Sequence, residues 1–236
     1  MWEVRKEKNA KVDRSEIKKM NGKLIVFEGV EGCGKTSQIQ LCCEWLLRDV
    51  ACNVSVTREP GGTDLGVDLR RLLLEVGKHP IADRTELLLY AADRSQHVEQ
   101  ELKPNLAKGT IILCDRYTDS TIAYQGYGRN LDINLINQLN AIATGGLESD
   151  LTLWLDVDVE VGLARKRGTS AITDRIEQET LAFHRRVQQG YAQLYASYPQ
   201  RIVRVDASLS QEAVQKQIQA IVSDRLAKWV ASTKTN

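Results

Sequence analysis

The sequence predicts an α/β fold: one parallel sheet of about five strands, with helices on both faces and a short lid. Two observations carry that expectation. Short apolar runs alternate along the chain with longer segments of helical period. The first run, Leu24-Ile25-Val26-Phe27, leads straight into Gly29-Val30-Glu31-Gly32-Cys33-Gly34-Lys35-Thr36, which fits G-x-x-x-x-G-K-[ST]. A strand that turns through glycines into a helix aims several backbone N–H groups at one point, where a polyphosphate can sit.

Residues 24–28 form the first strand, and the segment after the loop, 35–49, has the length and period of a helix. Residues 53–57 read as the second strand, followed by helical patterns over 64–74 and 85–100. Pro104 and Gly109 then punctuate the chain before a strand at 110–114. A helix over 132–144, a strand at 151–156, a helix starting at 159–165 and a long helix over 177–197 come next. A strand at 201–206 and a closing helix over 211–230 complete the series. In such a sheet, ligands lie beyond the carboxyl ends of the strands. Glu28, the pair Arg58 and Glu59, and the pair Asp115 and Arg116 end their strands there, which makes them candidates for one shared cleft.

With 236 residues and 26.5 kDa the chain suffices for one α/β domain, placed at 21–236 with its lid at about 165–176. The stretch 1–20 is polar, lacks apolar periodicity and is expected to be a disordered N-terminal extension, the alternative being a regulatory or docking tail. A net charge of +1, from 32 basic and 31 acidic residues, gives no global case for nucleic-acid or membrane binding, so anion recognition must be local. Neither kind of partner is expected. The five cysteines lack C-x-x-C spacing, which argues against a disulfide framework or a zinc site and for a reducing cytoplasm. No apolar run approaches the roughly 18 residues of a membrane span, and the N-terminus lacks a secretion signal.

Within the phosphate loop, Lys35 is expected to reach the β- and γ-phosphates as a point charge, and the Thr36 hydroxyl to ligate the accompanying magnesium. Cys33 stands where a helix N-terminus lowers a thiol's pKa, so modest reactivity is expected there. Thr57-Arg58-Glu59-Pro60-Gly61-Gly62-Thr63 should make a tight turn at the cleft, and a charged pair before a simple turn needs a further reason. Asp115 occupies the place of an acid near the magnesium shell. Arg116 can bind two oxygens of a second phosphate, and the plain alternative is an ion pair between those two residues. Tyr90 and Arg94 share a helix face, equipped to stack on a base and bond an exocyclic oxygen, although Tyr90 fits an ordinary core equally well. Ser120, Thr121, Tyr124 and Gln125 supply groups that can read a base edge or a ribose hydroxyl. Residues 165–175 interrupt two helical patterns with basic, glycine-containing sequence, either a flap that brings cations over the nucleotide or a solvated loop.

Together these motifs resemble the thymidylate kinases, bacterial type, among the P-loop nucleoside monophosphate kinases. The phosphate loop, Thr57-Arg58-Glu59-Pro60-Gly61-Gly62, Asp115-Arg116-Tyr117 and Asp174-Arg175-Ile176-Glu177 stand in the order that family uses, and the match runs from about Gly22 to the C-terminus. The resemblance implies a P-loop NTPase fold with a flexible lid, a magnesium-dependent transfer of phosphate from ATP to dTMP, and a homodimer. It implies ATP on residues 29–36. Around dTMP it implies Arg94 and Tyr90 at the base, Arg116 with Arg70 at the acceptor phosphate, and Glu31 near the deoxyribose. Glu59, Pro60, Ser120, Thr121, Tyr124 and Gln125 complete that set, and Thr36 with Asp115 would serve the metal. One branch of the family carries Asp then Arg in its phosphate loop, whereas this loop has Glu31 then Gly32, so a catalytic arginine must come from the lid. Arg165, Arg167 and Arg175 are the candidates, beside Lys35, Asp115 and Arg116. Two other readings remain: another nucleoside or nucleotide kinase, and a regulatory ATP-binding module, which would not need two phosphate sites.

Overall fold

A computed structural model describes residues 20–77, 80–168 and 174–233; the expected extension over 1–19 and the middle of the lid, 169–173, lie outside them. Five strands pair in parallel in the order β2-β3-β1-β4-β5. They are β1 (Lys23–Glu28), β2 (Val54–Arg58), β3 (Ile111–Asp115), β4 (Leu151–Asp156) and β5 (Ile202–Asp206), each within a residue of its expected start.

Because β1 has a strand on either side and helices above and below, its whole run Leu24 to Phe27 is apolar and buried. Alternate residues serve opposite faces: Leu24 and Val26 join Ile112 and Cys114 in a small cluster under Val98 and Leu102, while Ile25 and Phe27 join the main core. The edge strand β2 reads Val-Ser-Val-Thr-Arg and is only half covered. Register brings Phe27 and Arg58 level with Asp115, and Glu28 level with Trp154, so the polar strand ends form one row.

Helix α1 (Lys35–Trp45) runs on through a wide turn at Leu46–Val50, and α2 (Asp64–Leu74) is capped by Thr63, whose Oγ1 accepts from the Gly66 N–H at 3.0 Å. α3 (Asp83–His97) continues through a π-type segment, Val98–Leu102, into α4 (Lys103–Ala107). α5 (Thr118–Thr121) opens into a further π-type segment, Ile122–Gly128, a stretch for which the sequence pattern suggests polar groups but no element. Its two glycines and π-type turns depart from the 3.6-residue period by which helices are read. α6 (Ile133–Thr144), α7 (Val159–Arg167), α8 (Leu181–Ser197) and α9 (Gln211–Thr233) complete the chain. α8 starts at 181 rather than 177 because Thr180 caps it, accepting from the Phe183 N–H at 3.2 Å. Met20, expected at the end of the extension, is 3% exposed and belongs to the main core.

Candidate active site

The phosphate loop leaves β1 through Gly29, Gly32 and Gly34, all at positive φ (140°, 70° and 99°), a region that glycine enters without strain. Gly32 also lies against α7: a Cβ there would overlap the Gly162 carbonyl, and one on Gly162 would overlap the Glu31 carbonyl. The Lys35 ammonium donates to the carbonyls of Gly29 (3.1 Å) and Val30 (3.3 Å), which holds a buried charge at the mouth of the loop. A cleft of about 440 Å³ opens from this point. Of the loop, Glu31, Gly32, Gly34, Lys35 and Thr36 line it, whereas Gly29, Val30 and Cys33 lie behind.

Cys33 corrects an expectation. The thiol is buried and burial pushes its pKa up, outweighing Lys35 and Arg116 nearby, so the residue packs rather than reacts.

Arg116 takes φ 72°, and its backbone N–H stays tied to the Phe27 carbonyl at 3.0 Å. Its guanidinium pairs with Glu31, donates to the Gly29 carbonyl (3.1 Å) and the Tyr191 hydroxyl (3.2 Å), and lies 4.8 Å over the Tyr124 ring. The Tyr124 hydroxyl also donates to Glu31 at 3.0 Å. Burial alone would raise the Glu31 pKa, yet Arg116, Lys35 and Tyr124 outweigh it and hold the carboxyl at about 2. Arg116 thus pairs across the cleft with Glu31 and not with its neighbour Asp115. Asp115 lines the cleft with its Oδ1 buried and without a hydrogen-bond partner among the described residues.

Glu28, expected in the cleft by its place at a strand end, lies behind it and is fully buried. It accepts from the Tyr117 N–H (2.9 Å), the Ser120 N–H (3.1 Å), the Ser120 hydroxyl (2.6 Å) and the Tyr191 hydroxyl (2.7 Å), fixing the start of α5. Burial raises its pKa.

At the far end, α3 and the segment following α5 face each other. Arg94 is 2% exposed and gives Nε to Glu59 (2.8 Å), two bonds to Thr121 Oγ1 (2.7 Å) and Asn140 Oδ1 (2.8 Å), and one to the Tyr117 carbonyl (3.0 Å). Glu59 also meets His97 Nδ1 at 2.8 Å, and the other ring nitrogen meets Thr57 Oγ1 at 2.7 Å. Nearby, Asp93 accepts from the Gly61 N–H at 2.9 Å; burial, together with the Glu59 charge, pushes its carboxyl up to about 6. Tyr90 lines the cleft and desolvation raises its pKa, so it offers a neutral ring. Arg70 donates to the Pro60 carbonyl at 2.9 Å, and burial beside Arg58 pulls its pKa down. All the expected monophosphate residues (Glu31, Glu59, Pro60, Arg70, Tyr90, Arg94, Arg116, Ser120, Thr121, Tyr124 and Gln125) line the one cleft.

The lid arginines separate. Arg165 lines the cleft while donating to the Ala207 carbonyl at 2.9 Å, and Lys166, which sequence reasoning did not single out, lines it too and pairs with Glu177 at 3.2 Å. Arg167 is exposed and outside the cleft lining. Arg175 turns away: its Nε donates to the Leu73 carbonyl at 2.9 Å, its backbone N–H to the Leu74 carbonyl at 3.0 Å, and its guanidinium pairs with buried Glu86.

A parallel sheet whose central strand ends in a glycine cradle for phosphate, facing a second arginine-bearing end across one cleft, defines a phosphate-loop nucleotide-binding protein. A family model described as thymidylate kinase matches residues 27–218, and the chain belongs to the thymidylate kinase family. It is 76% identical to the thymidylate kinase of Nostoc punctiforme over 204 residues, 86% of this chain and 96% of that one. It is 72% identical to that of Trichormus variabilis, over 89% of this chain and the full length of the relative. The crystal structure of thymidylate kinase from Ehrlichia chaffeensis superposes with a TM-score of 0.70 at 32% identity, covering 86% of this chain and 99% of that one.

Proposed function

We propose that this chain transfers the γ-phosphoryl group of ATP to dTMP, giving dTDP and ADP. The observation that carries the reading is the two-ended cleft: Lys35 and the glycine loop at one end, Tyr90, Arg94, Thr121 and Gln125 at the other, and Arg70 and Arg116 between them. A regulatory ATP module has no use for that second end. The acceptor phosphate is already a nucleophile at neutral pH, so no general base is needed, and the protein's task is positioning and charge neutralisation. Lys35 steadies the transferring group, Arg116 and Arg70 hold the acceptor phosphate, and Arg165 adds a cation; that all four line the cleft supports these roles.

Thr36 and Asp115 are the residues that would hold magnesium; the buried Oδ1 of Asp115, without a hydrogen-bond partner among the described residues, and a hydroxyl at the head of α1 suit a hard cation. The ion, when bound, would supply positive charge to offset that of the phosphates. Exposed apolar side chains on three neighbouring helices, Leu65 and Leu72 on α2, Leu88 on α3, and Leu135 and Ile142 on α6, support a homodimer. Among the described residues no helix is long and apolar enough to cross a membrane, and all five cysteines are free, which fits a cytoplasmic enzyme. The test is ADP release from ATP with dTMP, dUMP, dCMP, dAMP or dGMP added in turn. Turnover that depends on dTMP supports the reading, and ADP release indifferent to the monophosphate would overturn it.

A further inference from the structure

The base end of the cleft is built as two facing ladders. Glu86, Tyr90 and Arg94 stand four residues apart on α3 and so share one face. Thr121 at the end of α5, Gln125 in the segment that continues it and Arg129 just beyond stand opposite, four positions apart. Two rungs close the ladders around Tyr90. At one end, Arg94 donates to Thr121 Oγ1 at 2.7 Å; at the other, Gln125 Nε2 donates to Glu86 Oε1 at 2.8 Å.

The second rung has a chemical direction. Glu86 is fully buried, and although burial raises its pKa, bonds from Arg129 and Gln125 and the charge of Arg129 outweigh it and leave the carboxyl below its usual value. Arg129 reaches it with Nε at 3.3 Å and a terminal nitrogen at 3.2 Å, and Arg175 from the lid pairs with the same group. An ionised carboxylate only accepts hydrogen bonds. The Gln125 amide must therefore turn its NH₂ toward Glu86, and Oε1 is the end left for a ligand in the cleft it lines.

Resting on the dTMP reading above, we propose that Glu86 is a positioning residue that fixes the polarity of the Gln125 amide, so that the site selects a base with a ring N–H, the imide of thymine or uracil, over cytosine. The acceptor Oε1 meets an imide N–H as a hydrogen bond and meets the bare N3 of cytosine as two facing acceptors. Rejection follows from an unpaired buried polar group, the kind of mismatch that gives strong discrimination. Arg129 and Arg175 keep Glu86 charged, so an arginine at the lid's far end helps to set which base is taken.

The test is the ratio of kcat/KM for dTMP to that for dCMP, with the KM for ATP measured alongside. Glu86→Gln keeps the shape of the side chain but offers an N–H as well as an oxygen, which frees the Gln125 amide to turn over. The ratio is expected to fall by about tenfold or more, with the KM for ATP unchanged. A purely structural Glu86 predicts equal losses on both monophosphates and an unchanged ratio, and that result overturns the proposal. Should Glu86→Gln fail to fold, Gln125→Met removes both ends of the amide without touching a charge; the same fall is expected, and an unchanged ratio overturns the proposal. Turnover of dTMP by the unaltered protein reports separately on the function itself.

Discussion

The two ends of the cleft are built of different material. At the phosphate end the cleft is walled by one short stretch of chain, Glu31, Gly32, Gly34, Lys35 and Thr36, held by glycine geometry and one lysine. The base end uses side chains drawn from four elements: Glu59 after β2, Arg94 on α3, Thr121 on α5 and Asn140 on α6. Arg94, which would read the ligand, is at the same time the counter-ion of buried Glu59. The difference teaches that chemistry and stability are separable at the first end and fused at the second.

The largest effect should therefore come from Arg94→Met. It strips buried Glu59 of its guanidinium partner and leaves it only the ring of His97, a loss of about 3–5 kcal/mol of stability. Thermal and urea unfolding measure it, and a variant that keeps its stability while losing only dTMP affinity would break the comparison. Lys35→Met comes next: kcat is expected to fall roughly 10²–10³-fold as a cation leaves the transferring phosphoryl group, with unfolding little changed. A Lys35 variant that unfolds early would show that the loop, too, is structural.

The lid sharpens the same contrast. Arg165→Ala is expected to lower kcat by roughly a hundredfold, a loss confined to the transition state, with Michaelis constants much less affected. Arg167→Ala should leave turnover near normal. Steady-state kinetics at saturating ATP and dTMP decide the pair, and equal turnover in both variants would remove the catalytic cation from this arm of the lid. A last effect, on stability and not on turnover, belongs to Asp93. Its carboxyl titrates at about 6 when folded and near 4 when unfolded, so the folded protein holds the extra proton in between. Its contribution is present below about pH 4 and is lost as pH rises toward about 6, by up to about 3 kcal/mol. Asp93→Asn should lack that slope, and unfolding curves of the two proteins across this range test it.

The same contrast explains what the sequence could tell. The loop is contiguous, its glycines and Lys35 are written in one motif, and the strands are uninterrupted apolar runs, so both were legible with boundaries off by about a residue. The site's supports were not. Glu28 meets Tyr191 across 163 positions of sequence, and Glu86 meets Arg175 across 89, separations over which no local pattern survives. The segment Ile122–Gly128 escaped because π-type turns do not follow the helical period, although Tyr124 and Gln125 were named from their side-chain chemistry alone. Cys33 was misjudged because position at a helix start speaks of electrostatics and is silent on burial, which here dominates. Arg175 stood as a lid cation until its partners placed it on the fold.

The touching glycines of the phosphate loop and α7 carry a consequence for anyone varying this protein. A methyl group on Gly32 runs into the Gly162 carbonyl, and one on Gly162 runs into that of Glu31, so the first turn of the cradle and the stem of the lid share a single layer of atoms. Neither position can be sampled alone in a mutant library. Any side chain at one must be matched by a shift of the other segment, and because α7 itself carries Arg165 and Lys166, that shift would be read out as a misplaced charge in the cleft.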